Sequence, residues 1–322
     1  NVTTVIQNRL GSNVKVTIQE IIKNNDTHYD GLTILSNQLN ISPTIYLNFY
    51  FKNIFDKGRC IALEQDQRII SSLQLNEHIL RLRDKQLKIS YILGVSTLPD
   101  YRRRGHMRRL MESALDEAGH NHLVTLIHGF YPKLYEQFGF ETVYERKLYT
   151  VPRECLHKVS LTNISYAAEP QELLQAYQNF TKHFDGCYVR DQEYYVLLQN
   201  EIVVTQKQMV VYRNRQGEVC GYLIFHKKKQ EIHVEEAIYL ESVVLMRLLK
   251  AAIGREQEIL VEVSQSEKLE KIFPLLIPKK QPFIMARINN PELFNKLYNL
   301  EVKSAAEAFA SALRPLWIHE YY

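Results

Sequence analysis

The stretch that determines the fold reads GVSTLPDYRRRGHMRRLM and runs from Gly94 to Met111. It overlaps the end of a β-prone run, Lys85–Thr97, which Pro99 closes because proline lacks an N–H and fixes φ. A basic loop follows, and apolar residues at helical spacing then predict a helix that opens at Gly105 and is stopped by Gly119. The sequence therefore predicts a strand, a glycine-containing loop and a helix N-terminus in direct succession.

The loop has the chemistry of an anion site. A helix start offers unpaired backbone N–H groups and the positive end of a dipole, and glycine allows a close backbone approach. Five arginines within Arg102–Arg109 add charge at the same point. A pyrophosphate is one predicted ligand, but a solvated face or a nucleic-acid footprint would use the same residues. The sequence contains neither a Walker loop nor a GxGxxG dinucleotide fingerprint.

Outward from this stretch, alternating strand and helix patterns cover both halves of the chain. On the N-terminal side, helical periodicity spans Val14–Phe55, and a hairpin pairs Cys60–Glu64 with Arg68–Leu75. On the C-terminal side of the first half, the predicted elements are a strand at Leu123–Ile127, a short helix at Pro132–Phe138 and a strand at Thr142–Val151. In the second half they are helices at Gln171–Phe184, Asp191–Gln199 and Ile238–Ile253, strands at Gln208–Arg213, Cys220–His226 and Ile259–Val263, a turn at Gly217 and a helix from Pro291.

The bulk properties fit a globular protein. A length of 322 residues predicts two domains, or two and a tail, and 45% hydrophobic with 24% charged residues suits a buried core. The four scattered cysteines predict reduced thiols and a cytoplasmic location. No membrane span and no secretory leader is predicted, although the chain begins with Asn1 rather than Met. The net charge of +4 is mild, so it indicates no particular partner.

The run Arg102-x-x-Gly105-x-Met107 after a strand resembles the acetyl-coenzyme A signature of the GNAT superfamily, Gln/Arg-x-x-Gly-x-Gly/Ala. Met107 departs from it at the last small position. Followed by YPKLYEQFGFE at 131–141, the stretch is similar to the enhanced intracellular survival (Eis-like) N-acetyltransferases. The similarity continues more weakly through YVRDQEYYVLL at 188–198 and PFIMARINNPELF at 282–294.

The resemblance implies an α/β (α+β mixed) fold with tandem GNAT-like domains. Each domain would hold a mixed, mostly antiparallel sheet flanked by helices. The implied boundaries are a catalytic domain at 1–151, a degenerate GNAT-like domain at 152–290 and a C-terminal tail at 291–322, a vestige of a sterol-carrier-like domain. The second domain lacks an Arg-x-x-Gly loop, so we expect it to shape the acceptor cleft rather than to bind cofactor.

The resemblance also implies roles for particular residues. The implied cofactor is acetyl-coenzyme A, whose pantetheine arm would lie on the backbone of Val95, Ser96 and Thr97. Its pyrophosphate would lie in the loop formed by Arg102, Arg103, Arg104, Gly105, His106 and Met107. Tyr135 matches the family tyrosine that protonates the departing thiolate, and its alternative is a tyrosine packed in the core beside Phe138 and Phe140. The Tyr322 carboxylate is a candidate to assist loss of a proton from the amine, and its alternative is a frayed terminus.

The implied function is an acetyl-coenzyme A-dependent N-acetyltransferase, in which a primary amine attacks the thioester directly. Two alternatives stay open: an aminoacyl-tRNA-dependent transferase of paired GNAT architecture, and a non-catalytic coenzyme A-binding or scaffold protein. The expected partner is a small-molecule or peptide amine, with no nucleic acid and no membrane, and homo-oligomerisation is left open. No metal site is predicted, because His120, His122 and His128 lack completing ligands. The carboxylates Glu231, Glu235 and Glu236 are predicted to form a solvated face.

Overall fold

The computed structural model describes residues 4–7, 43–228 and 231–320. Most of the helical prediction for Val14–Phe55 lies outside these residues, as does Tyr322. Within them, Pro43–Asn53 is helical, in agreement with that prediction. No helix in the described ranges is long and apolar enough to cross a membrane.

The described elements alternate between strands and helices along the chain. The strands are β1 (Thr4–Gln7), β2 (Arg59–Gln65), β3 (Arg68–Leu82), β4 (Lys85–Thr97), β5 (Val124–His128), β6 (Glu141–Pro152), β7 (Ile164–Ser165), β8 (Cys187–Tyr188), β9 (Gln208–Arg213), β10 (Val219–Lys228), β11 (Glu231–Tyr239), β12 (Glu258–Ser264) and β13 (Lys279–Ile288). The helices are α1 (Pro43–Asn53), α2 (His106–Asn121), α3 (Pro132–Glu136), α4 (Pro170–Thr181), α5 (Gln192–Val204), α6 (Ser242–Ile253), α7 (Pro291–Tyr298) and α8 (Ala305–Ala310).

The chain divides into two compact units. The first contains the described residues up to 143, residues 282–312 and Glu320, and the second contains residues 144–281 and 313–319. The domain boundaries predicted at 151/152 and 290/291 remain a proposal.

In the first unit the strand order is β1-β2-β3-β4-β5-β13. Neighbouring strands are antiparallel except β4 and β5, which are parallel. The hairpin predicted between β2 and β3 is confirmed, and its turn residues Asp66 and Gln67 both have positive φ, as tight hairpin turns require. The last strand, β13, pairs through residues 284–288 with 124–128 of β5, although the two segments lie far apart in sequence.

Helix α2 packs on the strands of the first unit through the buried apolar residues Leu110, Met111, Ala114, Leu115 and Ala118. The apolar spacing therefore predicted the buried face correctly. The predicted stop at Gly119 is wrong, because α2 continues to Asn121 and the His122 N–H still bonds to the Ala118 carbonyl. A single glycine inside a helix costs only about 1 kcal/mol, which the packing of α2 outweighs.

In the second unit the strand order is β7-β9-β10-β11-β12-β6, antiparallel except for the parallel pair β11 and β12. Helix α6 covers one face of this sheet with buried Val244, Leu245, Leu248 and Leu249. Both units thus place one parallel pair within an otherwise antiparallel sheet flanked by helices. The predicted mixed α/β fold is confirmed.

Strand β11 corrects two predictions for the second unit. Ile238 and Tyr239 end this strand, so the helix predicted from Ile238 begins instead at Ser242. Glu235 and Glu236 do not lie on a solvated face, since they are only 7% and 4% exposed. The Lys207 ammonium lies 2.9 Å from a Glu235 oxygen, and Arg190 donates to both oxygens of Glu236 at 3.0 and 2.8 Å. Ion pairs with cationic residues far away in the sequence therefore offset the cost of removing these carboxylates from water.

Candidate active site

A bulge distorts strand β4 just before the predicted cofactor loop. Gln74 of β3 pairs with Leu93 and Ser72 pairs with Ser96, so β4 carries one extra residue between these pairs. Gly94 is one of the two β4 residues between these pairs, and it has a φ of 63°, which glycine adopts readily. The Ser96 hydroxyl donates to the Gly94 carbonyl at 2.7 Å and stabilises the bulge. Bulges of this kind bend a strand and redirect its backbone.

Beyond the bulge, β4 and β5 separate. Their parallel pairing covers Ser90–Ile92 and Thr125–Ile127, whereas β4 continues to Thr97. On the other side β4 is held by Ser71, whose hydroxyl donates to the Ser96 carbonyl at 2.7 Å and lies 2.7 Å from the Thr97 hydroxyl. In the described part of the chain, the backbone at 95–97 therefore has no strand partner on its β5 side. A ligand could accept hydrogen bonds from this edge.

The loop after β4 leads directly into the N-terminus of α2. The Arg102 guanidinium donates to the Thr97 carbonyl at 3.2 Å, which ties the loop to the strand end. Gly105 precedes the helix with a φ of 80°, and a Cβ added there would have no atom within 4 Å. Glycine thus suits this position because the backbone is left-handed, and not because neighbouring atoms leave no room for a side chain. The first N–H groups of α2 have no acceptor within the helix.

The strand end and the loop meet around one cavity of about 520 Å³. The lining residues are Val95, Ser96, Thr97, Tyr101, Arg102, Arg103, Gly105, His106, Met107, Arg108, Leu134, Gln137 and Phe138. Of the residues predicted to bind cofactor, all except Arg104 are in this wall. Sequence reasoning missed Tyr101, Arg108, Leu134, Gln137 and Phe138 as lining residues, although all five lie in or beside the two quoted motifs.

The cavity wall is cationic. It includes three arginines and, among its described lining residues, no carboxylate. Arg108 donates to the Gln137 side chain, and its guanidinium lies 5.6 Å from the centre of the Phe138 ring. The Arg104 guanidinium lies 5.4 Å from the centre of the Tyr101 ring, beside the cavity. This arrangement favours an anionic ligand at the start of α2.

Tyr135 lies in helix α3, whose neighbouring residue Leu134 reaches the cavity wall. Tyr135 itself is 5% exposed and is not among the lining residues. Its ring packs edge-on against Phe140, with ring centres 6.3 Å apart. The catalytic role of Tyr135 therefore stays a prediction, and so does that of Tyr322, which lies outside the described residues.

The histidines considered for a metal make other contacts. His122 lies 2.7 Å from the Ser90 hydroxyl and 3.0 Å from a Glu77 oxygen, whereas His128 stacks on Phe130 with ring centres 3.5 Å apart. The ring of His120 lies 2.7 Å from the Asp116 carbonyl oxygen in its own helix. Within the described ranges, no group of three or more His, Cys, Asp or Glu is arranged to hold a metal ion.

Comparisons with known proteins agree with this geometry. Residues 26–143 match a family model described as an acetyltransferase (GNAT) domain. No curated protein matches the chain significantly.

Several solved structures have a similar fold. A probable N-acyltransferase from Enterococcus faecalis has a TM-score of 0.73 at 17% identity, over 89% of this chain and 73% of that one. Eis1 from Mycobacterium abscessus has a TM-score of 0.66 at 13% identity, over 91% of this chain and 76% of that one. A GCN5-related N-acetyltransferase from Kribbella flavida has a TM-score of 0.63 at 12% identity, over 89% and 72%. At these identities the likeness shows the fold, and it confirms the predicted resemblance at that level.

Proposed function

We propose that this chain is an acyl-transferring enzyme of the GNAT superfamily and that it acetylates a primary amine with acetyl-coenzyme A; the match of residues 26–143 to a GNAT acetyltransferase domain model supports this proposal. The observation that supports this proposal is the cavity that joins the end of β4, where its pairing with β5 has ended, to the N-terminus of α2. An extended donor with an acyl end and an anionic end needs both features side by side.

The residues present fit such a donor. Arg102, Arg103 and Arg108, with the first N–H groups of α2, would hold the diphosphate. The backbone of 95–97 would hold the pantetheine arm by strand-like hydrogen bonds, because no described strand pairs with it on the side facing β5. When bound, acetyl-coenzyme A supplies an acyl thioester, which is an activated form of the acetyl group.

The chain's own groups would then assist transfer to the amine. Peptide N–H groups along 95–97 are available as donors for a carbonyl oxygen that gains negative charge. The Tyr135 hydroxyl is the proposed proton donor to the departing thiolate. An ordinary tyrosine has a pKa of about 10 and a thiol one of about 8.5, so a phenol keeps its proton at neutral pH and can share it as the thiolate forms.

Replacing Tyr135 with Phe tests the proton donor. We expect kcat to fall by about two to four orders of magnitude, with coenzyme A affinity nearly unchanged. Tyr131→Phe, at the N-terminus of the same short helix, is the matched control and should retain activity. Full activity of Tyr135→Phe would remove Tyr135 from the mechanism without affecting the assignment of the cavity.

Calorimetric titration with acetyl-coenzyme A tests the function itself. Binding by the wild type, and a raised cofactor KM in Arg103→Ala combined with Arg104→Ala, would support the proposal. No binding would favour a scaffold protein, and binding of tRNA without acetyl-coenzyme A would favour the aminoacyl-transferase alternative. A panel of polyamines, aminoglycosides and peptides, scored by release of free thiol, would identify the class of amine acceptor.

A further inference from the structure

His106 is the first residue of α2 and forms part of the cavity wall. It is only 6% exposed, and neither ring nitrogen has a hydrogen-bond partner among the described residues. Buried polar groups are almost always paired, so an imidazole without a partner beside a cavity points to a missing ligand. A position directly at the helix N-terminus makes an anion the natural ligand.

The surroundings of His106 favour its neutral form when no ligand is present. Burial lowers the pKa of His106, and the positive charges of Arg109 and Arg104 lower this pKa further. The Tyr101 phenol ring also lies near the imidazole, with ring centres 6.4 Å apart. Among the described residues, no carboxylate contributes to the shift or lines the cavity, so no described anion compensates a charged imidazole in the free site.

We propose that His106 takes up a proton when the diphosphate of the acyl donor binds, so that donor affinity increases as the pH falls. The inference rests on the proposed function. A diphosphate brings negative charge to a point where the neighbouring charges are positive, and it thereby reverses the electrostatic preference of the imidazole. The protonated ring can also donate to a phosphate oxygen, which would give its nitrogen a partner.

The sign of the pH effect follows from this linkage. If binding raises the pKa of His106, the proton contributes to affinity at low pH and that contribution is lost as the pH rises through the bound-state value. Each unit of upward shift corresponds to about tenfold tighter binding at the acidic limit than at the alkaline limit. The effect is on Kd for the donor, so it is measurable without turnover.

Calorimetric titration of the intact protein with coenzyme A measures the proton directly. Titrations in buffers of different ionisation enthalpy at about pH 6, 7 and 8, which bracket the titration of histidine, give the protons taken up on binding. We expect net uptake by the wild type, a smaller uptake by His106→Gln and a flatter dependence of Kd on pH in that variant. His120→Gln is the matched control, because His120 lies in the same helix with its side chain 75% exposed.

Titration of the ligand's own phosphates is common to all three proteins and cancels in the comparison. Equal proton uptake by the wild type and His106→Gln would overturn the inference while leaving the proposed function intact. Failure of the wild type to bind coenzyme A would instead reject the proposed function. If His106→Gln does not fold, the imidazole resonances of wild-type His106, followed by NMR against pH with and without coenzyme A, decide the question: an unchanged midpoint refutes proton uptake.

Discussion

Replacing Gly105 with Ala tests whether the left-handed backbone before α2 matters for donor binding. An L-residue with a side chain pays about 1–2 kcal/mol to adopt this conformation. At Gly105 this strain is the whole expected cost, because an added Cβ meets no atom within 4 Å. The added methyl group should therefore change the backbone preference of the loop without a steric clash.

The strain can appear in two measurable quantities. If the loop keeps its conformation, the free energy of unfolding falls by about 1–2 kcal/mol. If the loop relaxes instead, the first N–H groups of α2 turn away, and binding must restore the strained backbone. Coenzyme A affinity would then fall by up to about 5- to 30-fold, the equivalent of the same free energy. The two losses together should amount to about 1–2 kcal/mol.

Denaturant unfolding and calorimetric titration with coenzyme A measure both quantities. Gly217→Ala is the matched control, because Gly217 has a φ of 87°, also has open space at its Cβ, and lies in the turn before β10 of the second unit. We expect Gly217→Ala to lose stability with no change in coenzyme A affinity. The reasoning is refuted if Gly105→Ala changes neither quantity, or if Gly217→Ala weakens coenzyme A binding as much as Gly105→Ala does.

Three further predictions concern stability and are measured by urea unfolding followed by circular dichroism. Burial raises the pKa of the Glu267 carboxyl to about 7 from 4.5, so its contribution to stability is present below about pH 4.5 and is lost as the pH rises through 7; Glu267→Gln should flatten this pH dependence. Lys207→Met should destabilise the protein by about 3–5 kcal/mol, because it removes the ammonium group that the buried carboxylates of Glu201 and Glu235 share. Gly221→Ala should cost about 1–3 kcal/mol, because the added Cβ would lie 2.6 Å from the Ile238 carbonyl oxygen.

Each of these has a clear contrary result. An unchanged pH profile in Glu267→Gln would show that this carboxyl titrates normally in the folded protein. Wild-type stability of Lys207→Met would mean that water reaches the carboxylates, and Lys227→Met, at a half-exposed lysine, provides its control. A fully stable Gly221→Ala would mean that β10 and β11 can move apart at no cost.

The local geometry of the candidate site was largely predictable from the sequence because its signals are local, whereas the roles of its residues stay predictions. Strand end, loop and helix start are contiguous, and the positive φ of Gly105 and the apolar face of α2 follow from neighbouring residues. The sequence also contained a signal for the part of the cavity lining formed by Leu134, Gln137 and Phe138, since these residues belong to the quoted motif at 131–141. None of the five missed lining residues could be placed at the cavity from the sequence, because their positions depend on tertiary packing, as the contact between Arg108 and Gln137 shows.

In the second unit, some predictions from local sequence patterns were wrong because the contacts that decide burial join residues far apart in the sequence. The charges of Glu235 and Glu236 predicted that both side chains are exposed to solvent. Both are buried instead, because each forms an ion pair with a cationic residue from another part of the chain, Lys207 for Glu235 and Arg190 for Glu236. Strand β11 was not predicted for the same reason, because residues that form buried ion pairs interrupt its apolar pattern. Likewise, nothing local shows that residues near Ile284 complete a sheet begun more than a hundred residues earlier.

That distant strand has a consequence for biosynthesis. A ribosome releases β5 long before β13, and until residues 282–288 have left the exit tunnel the edge of β5 stays open to unwanted strand partners. The sheet of the first unit would thus be completed only after residues 282–288 have been made. A chain that stops before residue 282 would leave the edge of β5 without this partner and would still contain every residue that lines the cavity.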